Sequence, residues 1–317
     1  MISSGLKLKV VAVNDIAPSL RQLSLASVDG SALPPNGAGS HVLFNLPGQG
    51  RVHRNAYSLI NPPGSRSQYD IIVRRVPTSR GGSAAVHERL QLGDVIEAQL
   101  PANLFPPQRR ARQHLMIAGG IGITPFLSYL QDAGVKASGY ALHLCCRESE
   151  REVFAPWLPA GDPQVFFHWD AEGHRLDIPA LLARQPAGTH LYVCGPAELN
   201  QAVLDAAQAQ GWPASQVHSE LFGAASSGGA PFEAVLKKSG QSVRVGEDET
   251  LLEAIERLGV AAPCLCRGGA CGVCVTPLLE GEAEHRDHYL SASDKAQGRL
   301  IMPCVSRARG ARLVLDL

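Results

Sequence analysis

Four cysteines near the C-terminus constrain this chain more than any other feature. Cys266, Cys271 and Cys274 follow the spacing C-x4-C-x2-C, and 29 residues separate Cys274 from Cys304. Three thiolates from one tight loop, with a fourth arriving from elsewhere, is the spacing of a plant-type [2Fe–2S] site. Gly268, Gly269 and Gly272 lie inside the loop. They let its backbone come close and donate N–H groups to the cluster sulfurs, which helps set the potential. A zinc ribbon is one alternative, but it uses two C-x2-C knuckles and this chain has one. A set of buried thiols is the other. Cys264 falls outside the spacing and reads as a spare thiol.

The compartment bears on what those cysteines do. No run approaches the ~20 apolar residues of a membrane span. Met1 to Val13 alternates like a strand and lacks the apolar run of a signal peptide. A cytoplasmic protein is therefore expected, and reduced thiols there favour metal ligation over disulfides. Lys+Arg and Asp+Glu both number 29, so the formal net charge is zero. That balance argues against nucleic acid or an anionic membrane as the main partner.

Three segments are expected. Residues 1–107 carry short β-type runs at Leu6–Val13, Arg21–Leu25, His41–Asn45, His53–Leu59, Asp70–Arg74 and Val95–Leu100, the pattern of an antiparallel barrel or sandwich. Pro101, Pro106 and Pro107 mark its end. Residues 108–225 alternate strands with helical patterns, which predicts a doubly wound parallel sheet. The strands are His114–Ala118, Tyr140–Cys145, Gln164–His168 and His190–Cys194, and helices are expected over Pro125–Gln131, Ile178–Arg184 and Ala197–Gln210. A small-residue linker, Gly223–Ala230, straddles the junction with the third segment, residues 226–317. Strands Phe232–Lys237 and Ser242–Val245 follow, then a helix starting at Thr250 and stopping at Gly259.

Each of the first two segments contains residues suited to a nucleotide-type ligand. Tyr57 offers an aromatic wall for a flavin and Ser58 a hydroxyl near its N5. Arg80-Gly81-Gly82-Ser83 precedes a helical stretch, Ala84–Leu90, and glycine-rich backbone at a helix start cradles phosphate. Taken singly, these remain a strand pair and a turn. Gly119-Gly120-Ile121-Gly122-Ile123-Thr124-Pro125 follows a strand and opens a helix, so its glycines allow pyrophosphate to approach. Arg147 is a candidate for cofactor phosphate or ribose, with a solvated strand-end arginine as the alternative. Asp170 is a candidate for the adenosine ribose. No cluster of basic residues for a 2′-phosphate follows Arg147, where Glu148 and Glu150 add negative charge instead. Cys145 and Cys146 read as packing residues.

The motifs resemble a known family. Cys266-Arg267-Gly268-Gly269-Ala270-Cys271-Gly272-Val273-Cys274, His285-Arg286-Asp287, Leu290-Ser291 and Cys304-Val305-Ser306-Arg307-Ala308 look like the C-terminal ferredoxin domain of the phthalate dioxygenase reductase family, which includes vanillate demethylase reductases. Arg54-Asn55-Ala56-Tyr57-Ser58-Leu59 is similar to the Arg-x-Tyr-Ser of the ferredoxin–NADP reductase superfamily, with one extra residue after Arg54. The Gly-Gly-x-Gly-x-Thr-Pro run resembles that superfamily's pyridine-nucleotide motif.

The resemblance implies a multidomain fold. An antiparallel β-barrel flavin domain (1–107) precedes an α/β doubly wound NAD(H)-binding domain (108–225) and an α+β, β-grasp plant-type ferredoxin domain. It implies FMN rather than FAD, with Arg54, Tyr57, Ser58, Leu59, Arg74, Gly81, Gly82 and Ser83 as contacts. Gly119, Gly120, Gly122, Thr124, Pro125, Cys194, Gly195 and Pro196 are implied around NADH, Cys194 orienting the nicotinamide ring without acting as a nucleophile. Glu220 and Phe222 are implied beside the flavin ring, with Ser58, Cys194 and Glu220 nearest the chemistry. The partner implied is a Rieske-type oxygenase of aromatic-ring catabolism. The order of the segments supports this: NADH gives two electrons, an iron–sulfur cluster takes one, and a flavin sits between them. An iron–sulfur redox sensor with little turnover is the alternative.

Overall fold

Period-two alternation in the first strand sets the pattern for the first sheet. Leu8 and Val10 of β1 (Leu6–Ala17) face inward while Lys7 and Lys9 face water. In this computed structural model, residues 5–48, 52–77, 81–171, 173–222 and 228–317 are described. Arg80, Arg51 and linker residues 223–227 lie outside them. The chain divides into two compact units, Met1–Phe222 and Gly223–Leu317.

In the first unit, β1 pairs with β2 (Leu20–Ser27), and β3 (His41–Pro47), β4 (Val52–Ser58), β5 (Tyr69–Arg74) and β6 (Val95–Ala98) complete a sheet in the order β4-β3-β6-β1-β2-β5. Every pairing in it is antiparallel. Inward residues such as Leu23, Phe44, Tyr69, Ile71 and Ile96 meet in one core, joined by Ala85 and Val86 of the helix Gly82–Glu88. Strands from both ends of the order feed that core, so the sheet is rolled, as expected of a barrel. The helix starts two residues earlier than its apolar pattern suggested, immediately after the left-handed Gly81.

The same unit contains five parallel strands, β7 (Gln113–Gly119), β8 (Tyr140–Cys145), β9 (Val165–His168), β10 (Thr189–Gly195) and β11 (Val217–Leu221), in the order β11-β10-β7-β8-β9. Winding changes direction between β7 and β10. One apolar core joins the two sheets: Leu20 and Ile72 of the first, with Ile60 just after β4, share it with Met116 and Tyr192 of the second and Phe126 of the helix Thr124–Tyr129. Phe105, just before the prolines read as a boundary, is buried in that core, its ring 5.7 Å from Tyr192.

In the second unit, β12 (Phe232–Leu236) pairs antiparallel with β13 (Gln241–Val245). β14 (Thr276–Glu280), β15 (Ala283–Glu284), β16 (Leu300–Ile301), β17 (Arg307–Ala308) and β18 (Arg312–Leu315) follow. β18 runs parallel to β12, in a sheet ordered β13-β12-β18-β14-β16. The helix Leu251–Arg257 packs Leu251, Ala254 and Ile255 onto that sheet. It opens with a capping box, in which Thr250 Oγ1 accepts from Glu253 N–H and Glu253 Oε2 accepts from Thr250 N–H. The cysteine loop lies between this helix and β14. Among the described residues, no helix is long and apolar enough to cross a membrane.

Candidate functional site

The four spaced cysteines lie in two pairs. Cys274 Sγ is 3.2 Å from Cys304 Sγ, and Cys266 and Cys271 hydrogen-bond each other. Among the described residues, no three or more His, Cys, Asp or Glu side chains converge on one metal position. Two pairs suit a cluster in which each iron takes two thiolates beside two bridging sulfides. A structural zinc would need all four around one point. Gly268 N–H points at Cys266 Sγ, 3.4 Å away. The bond from Cys271 and the loop N–H groups pull the Cys266 thiol below its ordinary value, while the same bond pushes Cys271 up. Cys264 packs beside Cys274, and burial pushes its thiol up to about 12.

Two residues around this loop had no role assigned from sequence. Asp287 is buried and accepts from Leu290 N–H at 2.9 Å and from the Ser306 hydroxyl at 3.3 Å, while the neighbouring His288 N–H donates to Gly269 O. Burial works against its charge, but the Leu290 N–H and Lys295 hold its carboxyl below the usual value. The carboxylate thus joins the turn after Cys304 to the 285–290 segment, which the His288 N–H ties to the cluster loop. Arg267 is the only described non-glycine residue with positive φ, at 53°. That conformation costs an L residue roughly 1–2 kcal/mol. Its guanidinium is paired with Glu256, and its Nε is buried with no partner. Side-chain type alone carries no signal for either feature.

In the first unit, the Tyr57 ring lies 6.1 Å from Phe44, and its buried hydroxyl has no partner. Burial pushes that hydroxyl's pKa upward. Ser58 is buried at the end of β4 and Leu59 belongs to the sheet core. Arg54 is exposed, in register with Asn45. Gly81 lies against His53 and Gly82 against Asn55, both on β4. The Ser83 hydroxyl accepts from Val76 N–H at 3.2 Å. Arg74 closes β5 and bonds Glu150 at 2.7 Å, while its Nε and Nη2 are buried without partners. An unpaired buried donor costs about 1–3 kcal/mol. Three such atoms within the set expected for FMN suit a ligand rich in acceptors.

The nicotinamide motif sits at the carboxyl ends of β7 and β10, where the winding reverses. Crevices at this point are where doubly wound sheets bind nucleotides. Gly119 runs into a single 3-10 turn, Gly120–Ile123, and then the helix Thr124–Tyr129 with Pro125 in its first turn. The Thr124 hydroxyl is spent on Ile121 O at 3.1 Å. Gly195 and Pro196 lie against Gly119. Cys194 is fully buried with Sγ 3.9 Å from Glu220 Oε2, and burial and Glu220 push its thiol well up. A thiol held protonated in this way packs rather than attacks. Phe222 N–H donates to Gly195 O, which brings β11 to the same crevice. Arg74 reaches it too, with Nη2 3.5 Å from where a Cβ on Gly120 would stand. Arg147 and Asp170 are exposed: the Arg147 N–H reaches Glu150 Oε2 at 3.4 Å, and Asp170 pairs with Arg175 at 3.1 Å.

The parallel sheet also carries two stacked histidine pairs, His143–His168 and His190–His218, with ring nitrogens 2.9 and 3.0 Å apart. Burial, then the neighbouring imidazole, pushes His143 and His218 down to about 4. An unfolded histidine takes its proton near pH 6.5. Below that pH the unfolded state binds more protons, so stability falls as pH drops from about 6.5 towards 4. The first unit should melt several degrees lower at pH 5 than at pH 7.5, read by calorimetry on the scale of about 2–4 °C per kcal/mol.

A rolled antiparallel sheet sharing a core with a doubly wound sheet, and followed by paired cysteines in a ferredoxin-type unit, defines an iron–sulfur flavoprotein reductase. A model of the 2Fe-2S iron-sulfur cluster binding domain matches residues 235–309. A model of the dimethylamine monooxygenase subunit DmmA-like N-terminal domain matches residues 94–217. The chain is 43% identical over its whole length, and the relative's whole length, to the heme-dependent oxidative N-demethylase beta subunit of Ectopseudomonas mendocina (strain ymp). It is 41% identical to the vanillate O-demethylase oxidoreductase of Pseudomonas sp. (strain HR199 / DSM 7063), covering 97% of this chain and 98% of the other. The solved structure of phthalate dioxygenase reductase matches with TM-score 0.86 and 34% identity, over 99% of this chain and 98% of that one. The chain belongs to the phthalate dioxygenase reductase family.

Proposed function

We propose that this chain is the reductase component of a Rieske-type oxygenase, an aromatic-ring dioxygenase or a demethylase, drawing electrons from NADH through FMN and a [2Fe–2S] cluster. Bound flavin would supply the conversion of one hydride's electron pair into single electrons. The observation that carries the reading is Arg74. It belongs to the flavin segment, keeps two unpaired buried nitrogens, and stands over Gly120 of the nicotinamide motif. An FMN group and a nicotinamide held by these residues would share one crevice. On this reading Tyr57 walls the flavin, Ser58 faces its N5, and Gly81, Gly82 and Ser83 border its phosphate. Cys194, Glu220 and Phe222 close the crevice from β10 and β11. The division into 1–107, 108–225 and 226–317, and a cytoplasmic location, belong to the same proposal.

The test is turnover. The purified chain with its cofactors should reduce cytochrome c with NADH at about 1–1000 per second, the usual range for enzymes. Failure to turn over while binding both cofactors would favour the sensor. A second reading of the acceptor rests on the Ectopseudomonas relative, whose name describes a heme-dependent demethylase. Adding a Rieske oxygenase component or a haem demethylase component, each with its substrate, separates the two: only the true acceptor couples NADH oxidation to product.

A further inference from the structure

We infer that Arg267, anchored by Glu256, is a positioning residue that raises the reduction potential of the [2Fe–2S] cluster. The inference rests on the cluster reading above and goes beyond ligation. Arg267 directly follows the ligand Cys266, and its N-terminal neighbour's sulfur takes the Gly268 N–H. Its backbone stands at φ 53°, where glycine would fit without strain. The loop nevertheless places an arginine there. The side chain turns back to the helix Leu251–Arg257 and pairs with Glu256, with only 10% of it exposed. The Nε is buried and makes no bond. A guanidinium cannot shed its charge at ordinary pH. The loop therefore holds a fixed, largely desolvated positive charge on the residue next to the ligand Cys266.

The charge balance of the cluster gives this consequence. Two ferric ions, two sulfides and four thiolates sum to a charge of minus two. Uptake of one electron makes it minus three, with one iron reduced and no bond made or broken. A nearby cation favours the more negative state, and the effect is largest where water is excluded. Glu256 opposes it in part while fixing the guanidinium in place. Arg267 and Glu256 therefore act on the potential with opposite signs. A purely structural ion pair would behave differently, because losing either partner would loosen the loop in the same way.

The experiment is a mediated redox titration of the full-length holo-chain, with the reduced cluster read by electron paramagnetic resonance and dithionite as reductant. R267Q should lower the potential, shifting the reduction equilibrium about tenfold, which is about 59 mV for one electron. R267G removes the same charge and tolerates the left-handed backbone, so it should shift the same way even if R267Q folds poorly. E256Q should raise the potential, and R267Q with E256Q should return it towards the original value. Unchanged potentials, or shifts of one sign in R267Q and E256Q, would overturn the inference. A parent chain without the cluster signal would instead defeat the cluster reading, and the titration shows which has failed.

Discussion

Cys304→Ser should yield a chain that still passes electrons from NADH to ferricyanide but reduces cytochrome c at least about 100-fold more slowly. Changes outside the ligand shell already cost 10–100-fold in metal affinity or activity, so loss of a ligand sets a higher floor. Cys304 lies 3.2 Å from Cys274, and the pair is buried with Leu252, Met302 and Val305. A serine hydroxyl is a poorer iron ligand than a thiolate, and here it would stand unpaired in an apolar pocket. The two-pair arrangement makes the loss specific, since one iron would keep a single protein ligand. Cys264→Ser is the control. Cys264 lies beside the same core with its thiol held protonated, so that variant should keep the visible absorption of the cluster. Equal bleaching in both variants would mean that the register of the cysteines had been misread.

Some of this could be read from the chain because chemistry fixes its spacing. The cysteine loop is local, and its ligands must fall at set intervals. Strands such as Tyr140–Cys145 show themselves through composition over a few residues. The harder parts depend on distant residues. Arg74 and Glu150 are far apart in sequence, and no pattern around either residue betrays their pairing. The prolines at 106 and 107 read as a boundary, yet Phe105 beside them joins Phe126, Tyr129 and Tyr192 in a shared core. A break in local pattern marks the end of a sheet, and burial across that break is a tertiary fact. The helix Ala133–Ser138 is not legible in the sequence because it is short and contains Gly134, although the Asp132 side chain caps it by accepting from the Gly134 and Val135 N–H groups. The positive φ of Arg267 belongs to the same class: backbone conformation imposed by ligands and neighbours leaves no trace in side-chain type.

The glycines of the nicotinamide motif should separate under substitution, because they are glycine for different reasons. A Cβ on Gly122 would stand 2.2 Å from Cys194 O and 2.6 Å from Cys194 C, both backbone atoms of β10. Neither can rotate away, so Gly122→Ala must push the β7 and β10 ends apart. A clash of this kind should exceed ordinary overpacking, at about 3 kcal/mol or more. That corresponds to roughly 6–12 °C in the melting temperature of the first unit. At Gly120 the nearest atom to an added Cβ is Arg74 Nη2, at 3.5 Å. Gly120→Ala therefore carries only the cost of a left-handed alanine, about 1–2 kcal/mol. The unit should fold and keep its flavin. The new methyl would nevertheless stand on the face offered to the pyrophosphate, beside Arg74, and should raise the KM for NADH about tenfold or more. That is the scale of a misplaced binding contact worth about 1.4 kcal/mol. Calorimetry and steady-state kinetics on the two variants decide between packing and cofactor approach. If Gly122→Ala melted with the parent chain, the close approach of β10 would not be what requires glycine there. If Gly120→Ala left the KM unchanged, the pyrophosphate would lie elsewhere than over the Gly119-Gly120 turn.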